Sequence, residues 1–316
     1  MVPSPLPWLG SQNLTDLDEV FILGFGDIDN MRAVLFTVFL LVYILTLSGN
    51  LLIFLLVLSC KILHSPMYFF LGNLSLNEIL FTTNIAPNML HVLLNRGATM
   101  SILGCFMQFY MFGSLAVTES FLLTVMSYDR FLAICNPLHY TSIMDSWHCQ
   151  LLALMCWIGA FIIMSVTLGF LLRLHFCRRD VINHFFCDFA PILELSCSDT
   201  TTIKIVVSFL SSAATLFPFL FIIITYGCII QCILRIPSAR GKEKAFSTCS
   251  SHLGVVSTYY ATMIMVYVVP ASDHLLLVNK TLSLLYTVVT PTVNPIIYAL
   301  RNQEIKTALR LVSRRK

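Results

Sequence analysis

Long apolar runs recur along this chain, and they constrain its fold more than any other feature. They lie near Val34–Leu58, Pro66–Leu94, Ser101–Tyr128, Leu151–Leu172, Ile203–Leu234, Leu253–Val269 and Leu282–Leu300. A helix needs about 20 predominantly apolar residues to cross a bilayer core. The chain is 57% hydrophobic and 11% charged, with a mean hydropathy of +0.84, whereas a soluble domain carries about 25% charged residues. Hydrocarbon offers no partner to an unpaired N–H or C=O, so each run must satisfy its own backbone as a helix. The expected fold is an all-α membrane protein, a seven-transmembrane helix bundle forming a single domain over residues 1–316.

An odd number of spans puts the termini on opposite faces. With residues 1–31 outside, 12 Lys and Arg fall on the inner side and 7 on the outer side, the sign the positive-inside rule requires. Residues 302–316 are then a cytoplasmic tail. Its Ile305, Ala308, Leu309 and Val312, with basic residues between, have the spacing of a short amphipathic helix on an anionic leaflet; a disordered basic tail is the alternative. The amino end has no basic start and no apolar h-region, so no cleavable signal peptide is expected and the first span does the targeting. Asn13-Leu-Thr15 is a glycosylation acceptor if that end is outside. Asn73-Leu-Ser75 lies inside a span, and Asn279-Lys-Thr281 sits too near one.

The third run ends in Met126-Ser-Tyr-Asp-Arg-Phe-Leu-Ala-Ile-Cys-Asn-Pro-Leu-His-Tyr140. Asp129-Arg130 stands where that helix should leave the hydrocarbon, and Asn136-Pro137 should stop it, because proline lacks the N–H and clashes with the preceding turn. Taken alone, the pair reads as a boundary anchor. The whole stretch, however, resembles the signature at the inner end of the third span of vertebrate odorant receptors, members of the rhodopsin-like G-protein-coupled receptors. Four other stretches match that family in order: Leu63-His-Ser-Pro-Met-Tyr-Phe-Phe-Leu71, Phe186-Cys-Asp188, Lys244-Ala-Phe-Ser-Thr-Cys-Ser-Ser-His-Leu253 and Pro291-Thr-Val-Asn-Pro-Ile-Ile-Tyr-Ala-Leu-Arg-Asn302. The family usually has Ala and Tyr where this chain has Ser127 and Phe131.

The resemblance implies a plasma-membrane odorant receptor that activates a heterotrimeric G protein of the stimulatory olfactory type, raising cyclic AMP. It places coupling and activation on Asp129, Arg130, Tyr226, Lys244, His252, Asn294, Pro295 and Tyr298. A non-olfactory chemoreceptor of the same family is the alternative. Intramembrane acids also occur in small transporters, but these often show internal repeats, and the two halves of this chain show no such similarity. Membrane lipids are expected neighbours and nucleic acid is not.

Glu78 and Glu119 both fall near mid-membrane at 1.5 Å per helical residue. Ionisable groups at that depth face the bundle interior and are functional by default. Two carboxylates at one level can share a proton or hold a cation, and Asn294 can add an amide oxygen; a structural reading has them protonated and hydrogen-bonded. The relatives' sodium cluster lies here. No other cofactor is expected.

Of eleven cysteines, Cys105, Cys177, Cys187 and Cys197 lie on the expected outer side, where disulfides persist. Four allow three pairings, and a metal site with His175, His184 and Cys177 competes with them. The family resemblance implies Cys105–Cys187, leaving Cys177–Cys197. Cys249 and His252 on one helical face are too few for a metal site.

Enzyme signatures such as His-Glu-x-x-His, a glycine-rich phosphate loop or Gly-x-Ser-x-Gly are absent. The last span has no lysine between Thr281 and Leu300, which excludes a retinal Schiff base there, and Ile102–Val117 has no acid to pair an amine ligand. Ligand-binding candidates instead form stripes at helical spacing. They are Phe109, Phe112, Gly113, Ala116 and Val117; Val207, Leu210, Ser211 and Ala214; and Tyr260, Met263, Ile264 and Tyr267. Ordinary helix packing gives the same stripes. The expected ligand is a neutral, largely hydrophobic volatile with one hydrogen-bonding group.

Overall fold

The computed structural model describes residues 18–26, 31–176, 180–268 and 276–313. Asn13 and Cys177 lie outside these residues, as do the side chains of Lys244 and Tyr267. The helices are α1 (Arg32–Ser59), α2 (Pro66–Asn95), α3 (Ile102–Cys135), α4 (Pro137–Ile143), α5 (Ser146–Leu171), α6 (Phe189–Glu194), α7 (Thr201–Arg235), α8 (Ala239–Val268), α9 (Leu276–Leu284), α10 (Thr290–Arg301) and α11 (Gln303–Ser313). A π-helical turn, Leu285–Val289, joins α9 and α10 into one span. The seven spans in order are α1, α2, α3, α5, α7, α8 and the α9–α10 pair.

Five spans have the length and apolar composition to cross a membrane: Arg32–Ser59, Ile102–Cys135, Ser146–Leu171, Thr201–Arg235 and Lys280–Leu300. The other two, α2 and α8, are 30 residues each, or about 45 Å at the helical rise. Polar residues dilute their hydropathy, and those residues point inward. Ser75, Asn77, Glu78 and Thr82 of α2 and Ser251, His252 and Thr262 of α8 are buried. Apolar side chains such as Leu41, Phe209, Phe217 and Ile224 point away from the bundle instead.

Local chemistry explains the boundaries. Pro66 and Pro137 open their helices, where the missing N–H costs nothing. Ser101 Oγ accepts from Gly104 N at 3.1 Å, and Asp145 Oδ1 accepts from His148 N at 2.7 Å, each capping a helix start. The third helix runs to Cys135 and stops at Asn136-Pro137. The sixth begins at Ala239, well before the expected Leu253, because a helix continues past the hydrocarbon wherever its residues tolerate it. In the tail, Ile305 and Ala308 are buried within the main core. The apolar face of α11 therefore docks in part on protein, through Ile305 and Ala308, while Leu311 and Val312 stay exposed; the expectation had laid the whole face on lipid.

The all-α expectation needs one amendment. At one end of the bundle, β1 (Glu19–Ile22), β2 (Ala98–Ser101) and β3 (Val181–Ile182) form a sheet in the order β2-β1-β3. β1 runs antiparallel to β2, with Glu19 opposite Ser101 and Ile22 opposite Ala98, and parallel to β3, with Ile22 opposite Ile182. Gly24 follows at φ +71°, where an added Cβ would lie 2.6 Å from Val92 Cγ1; both the left-handed backbone and the close approach call for glycine.

A Cys105–Cys187 disulfide joins the start of α3 to the 180–200 segment. Cys197 is also disulfide-bonded; its expected partner, Cys177, lies outside the described residues. Among the described residues no group of three or more His, Cys, Asp or Glu is placed to hold a metal. This end of the molecule, called the disulfide end below, carries its own apolar cluster built on Val20, Ile22, Phe106, Phe109, Ile182, Ile192 and Val207.

His184 stacks on Phe185 at a ring separation of 4.6 Å and meets Phe186 edge-on at 4.7 Å. Burial and the neighbouring Lys280 push its pKa from 6.5 down to about 3. The unfolded chain therefore takes up a proton below pH 6.5 that the folded chain refuses, so stability is full above 6.5 and falls as the pH drops. Thermal unfolding of the purified protein should show melting temperature falling between pH 6.5 and about pH 5, and His184→Gln should flatten that slope. An unchanged slope would assign the dependence to another group. Removing the buried disulfide by Cys187→Ser should cost about 2–5 kcal/mol and abolish surface expression; normal surface levels would contradict its structural role.

Candidate functional site

At the opposite end, called the Arg130 end, the third helix carries an adjacent acid and base. Arg130 donates to Asp129 Oδ2 from a terminal guanidinium nitrogen at 2.6 Å and from Nε at 3.0 Å. The other carboxylate oxygen accepts from Tyr140 on α4 at 2.8 Å. Asp129 is fully buried, so it holds both the guanidinium and the short helix that follows Pro137. Tyr226 of α7 does not reach Arg130; its hydroxyl lies 2.6 Å from His252 Nδ1 on α8, with the rings stacked at 5.7 Å. Tyr298 is buried nearby on α10, its hydroxyl among those with no partner.

Pro295 lies inside α10 and packs against the first span at Gly49, where an added Cβ would come within 3.1 Å of the proline ring. Beside it Asn50 donates to Pro291 O at 3.2 Å and to Thr46 O at 3.1 Å. Sequence reasoning missed Asn50. The available signal was an amide alone within an apolar run, which must find a partner or stay costly.

Mid-bundle, Glu78, Glu119 and Asn294 meet as their depths suggested. Asn294 Nδ2 donates to Glu78 Oε1, and Glu119 comes within hydrogen-bonding reach of both. All three are buried. Glu78 Oε2, Glu119 Oε1 and Asn294 Oδ1 remain without a partner. These are oxygens facing inward with no donor, and such orphans are rare enough to call for a specific occupant. A proton or a hard cation fits this donor set.

The ligand stripes do not stay together. Phe109 stacks on Phe189 at 6.1 Å, and Val207 joins it in the disulfide-end cluster. Phe112 turns toward the second and seventh spans, against Phe81 at 5.4 Å and Tyr286 at 5.8 Å, with Phe186 at 5.0 Å. Leu210, Ser211 and Val117 are half-buried, and Met263 is buried.

Two candidates are misplaced. Gly113 faces α5, where the Met164 side chain already fills the space beside it, so its small size serves helix packing and leaves no gap. Ile264 is 51% exposed, on the outward face of α8, one helical step from the buried Met263. What does converge is a node one turn deeper. Ser120 lies 3.1 Å from the Tyr260 hydroxyl and 3.2 Å from Ala214 O, while Tyr259 donates to Ala116 O at 3.1 Å. Phe219 packs on Tyr260 at 4.6 Å. Ser120 continues the third-span stripe by one helical step, a signal present in the spacing; Phe219, five residues past Ala214, does not.

Gly113→Leu should therefore act on packing. The collision with Met164 is expected to cost about 1–3 kcal/mol and to lower surface expression, and Met164→Ala should restore it. Normal expression of the single variant would place the space elsewhere.

Comparison with known proteins agrees with this architecture. A family model described as olfactory receptor matches residues 39–315. Human olfactory receptor 11A1 is 43% identical over 303 residues, covering 96% of this chain and 95% of its own length. Human olfactory receptor 10A5 is 46% identical over 298 residues, 94% of each, and mouse olfactory receptor 1M1 is 43% identical, covering 96% of this chain and 97% of its own length. The protein is a multi-pass membrane receptor and not an enzyme, and the chain belongs to the olfactory receptor family.

Proposed function

We propose that this odorant receptor binds a small, neutral, largely hydrophobic volatile carrying one hydrogen-bonding group, such as an alcohol, ketone or ester. The observation that carries this reading is the node of Ser120, Tyr260 and Ala214, where the third, fifth and sixth spans meet around two hydroxyls in apolar surroundings. A ligand hydroxyl or carbonyl that exchanges with the Ser120–Tyr260 bond changes how three helices are held. The disulfide end faces outside and the Arg130 end faces the cytoplasm, supported by the excess of Lys and Arg at the latter. On this reading the receptor sits in the plasma membrane with its amino end extracellular, and the ligand arrives from the disulfide end.

Activation follows from the contacts that must break. Release of the Arg130–Asp129–Tyr140 set frees a guanidinium at the cytoplasmic end, and parting of Tyr226 from His252 lets the fifth and sixth spans separate. The opened face, with Lys242 along it, receives a heterotrimeric G protein of the stimulatory olfactory type, and cyclic AMP rises. A sodium ion suits the Glu78, Glu119 and Asn294 oxygens; when bound it supplies a positive charge that neutralises paired acids. The residues themselves hold the second, third and seventh spans together at mid-membrane.

A panel of volatiles screened on the expressed receptor with a cyclic-AMP readout tests the main reading. Tyr260→Phe and Ser120→Ala should each raise the half-maximal concentration of an active alcohol or ketone about 3- to 10-fold, the factor one neutral hydrogen bond represents. Equal potency in both variants would move the ligand elsewhere. Tyr140→Phe should raise ligand-independent cyclic AMP, while Arg130→Ala should abolish the response at equal surface expression; a retained response would leave Arg130 an anchor only. For the cation, purified protein should melt higher in sodium chloride than in choline chloride, and Glu119→Gln should remove the difference.

A further inference from the structure

Lys280, near the start of the seventh span, is only 5% exposed. Its Nζ donates to Gly24 O at 2.5 Å and to Asn183 Oδ1 at 2.9 Å. Gly24 follows β1 and Asn183 follows β3, so one ammonium group fastens two strands of the cap to the seventh span. Hydrogen bonds from a charged donor are stronger than neutral ones, and both of these converge on a single flexible side chain.

The rest of the cap is held unequally. β1 pairs with β2 through four residue pairs but with β3 through two. The bonds from β1 toward the β3 side are Phe21 N to Asp180 O, Leu23 N to Ile182 O and Gly24 N to His184 O. Next along the chain, Phe25 stacks on Phe185 at 5.2 Å and on Phe39 of the first span at 5.9 Å. Phe39 is also part of the wall of a small crevice, about 10 Å³, between the first, second and seventh spans, together with Thr46, Met89 and Thr287. Through Phe25, the fastened segment therefore rests against one wall residue of that crevice, Phe39.

We propose that Lys280 is the catch of a gate. The segment 18–26 closes the crevice, hinges on its stronger pairing with β2, and is held against β3 and the seventh span by the Lys280 bonds. Release of the catch separates β1 from β3, lifts Phe25 from Phe39 and opens a passage between the first and seventh spans. The proposal takes from the preceding section only that this end faces outside. Its test uses no odorant, so failure of the gate and failure of the ligand site read separately.

Amide hydrogen exchange on the full-length protein in lipid nanodiscs tests the catch. Lys280→Met, which keeps the length and removes the donors, should speed exchange at Phe21, Leu23 and Gly24 about tenfold or more. The amide of Ile102, bonded to Asp18 O on the β2 side, should keep its rate. Asn183→Ala should act in the same direction more weakly, and Asn183→Asp, which gives the ammonium a carboxylate, should slow exchange below the parent. Access is read by adding Phe39→Cys and labelling with a water-soluble maleimide, which should react faster in the Lys280→Met background. Unchanged exchange at the three amides, equal acceleration at Ile102, the same direction in both Asn183 variants, or equal labelling rates would each overturn the gate. Should Lys280→Met fail to accumulate, the opposed pair at Asn183 decides alone.

Discussion

A backbone in hydrocarbon has nothing to bond to except itself, and every other feature of this receptor depends on that constraint. It makes each apolar run a helix, and it decides which way polar side chains turn. With lipid outside, Asn50, Asn77, Glu78, Glu119, His252 and Asn294 are all buried inside the bundle. There they bond helix to helix, as Asn50 does to Pro291 O and Thr225 does to Ser127 at 3.2 Å. Residues that depress the hydropathy of the second and sixth spans thus include ones that bind spans together, as Asn77 does to Leu115 O and His252 to Tyr226, and Glu78 of the mid-bundle cluster.

The two ends solve a different problem, because water returns there and the backbone can leave the helix. At the Arg130 end, one buried carboxylate, Asp129, bonds Arg130 of its own helix and Tyr140 of the next, so the tyrosine hydroxyl ties the short helix to the third span. At the disulfide end the segments are short, and apolar burial alone is modest. Covalent and charged links add to it there: Cys105–Cys187 and the reach of Lys280 to Gly24 and Asn183. Between them lies an aromatic stack running from Phe39 through Phe25 and Phe185 to Phe186 and Phe112, which joins the cap to the interior of the bundle.

Much of this was legible beforehand. The number and rough limits of the spans follow from run length, and the stop after Cys135 follows from Asn136-Pro137. That Glu78 and Glu119 should lie at one depth followed from counting residues inward from charged boundaries, since helical rise is constant; that they face each other did not. The ligand stripes fared less evenly. Helical spacing identifies a face but not the neighbour it meets, so it groups Gly113 with the ligand stripe although Met164 fills the space beside it, and Ile264 likewise although it faces out. Between Phe109 and Ser120 the third helix passes several different partners, and each residue belongs to whichever lies opposite it.

The sequence by itself determined the class of the protein, its seven spans, the helix stops and the depth of its acids, because these depend on length, hydropathy and local backbone chemistry. Only the tertiary structure decided the partners: that Tyr226 meets His252, that Ser120 meets Tyr260, that Ile305 and Ala308 dock on protein, and that residues 19–22 become a strand. The pairing of β1 with β2 and β3 joins segments far apart in the chain, and Lys280 bonds a carbonyl 256 residues away. Such contacts depend on which helices stand side by side and how each is rotated, and no local pattern of residues carries that information.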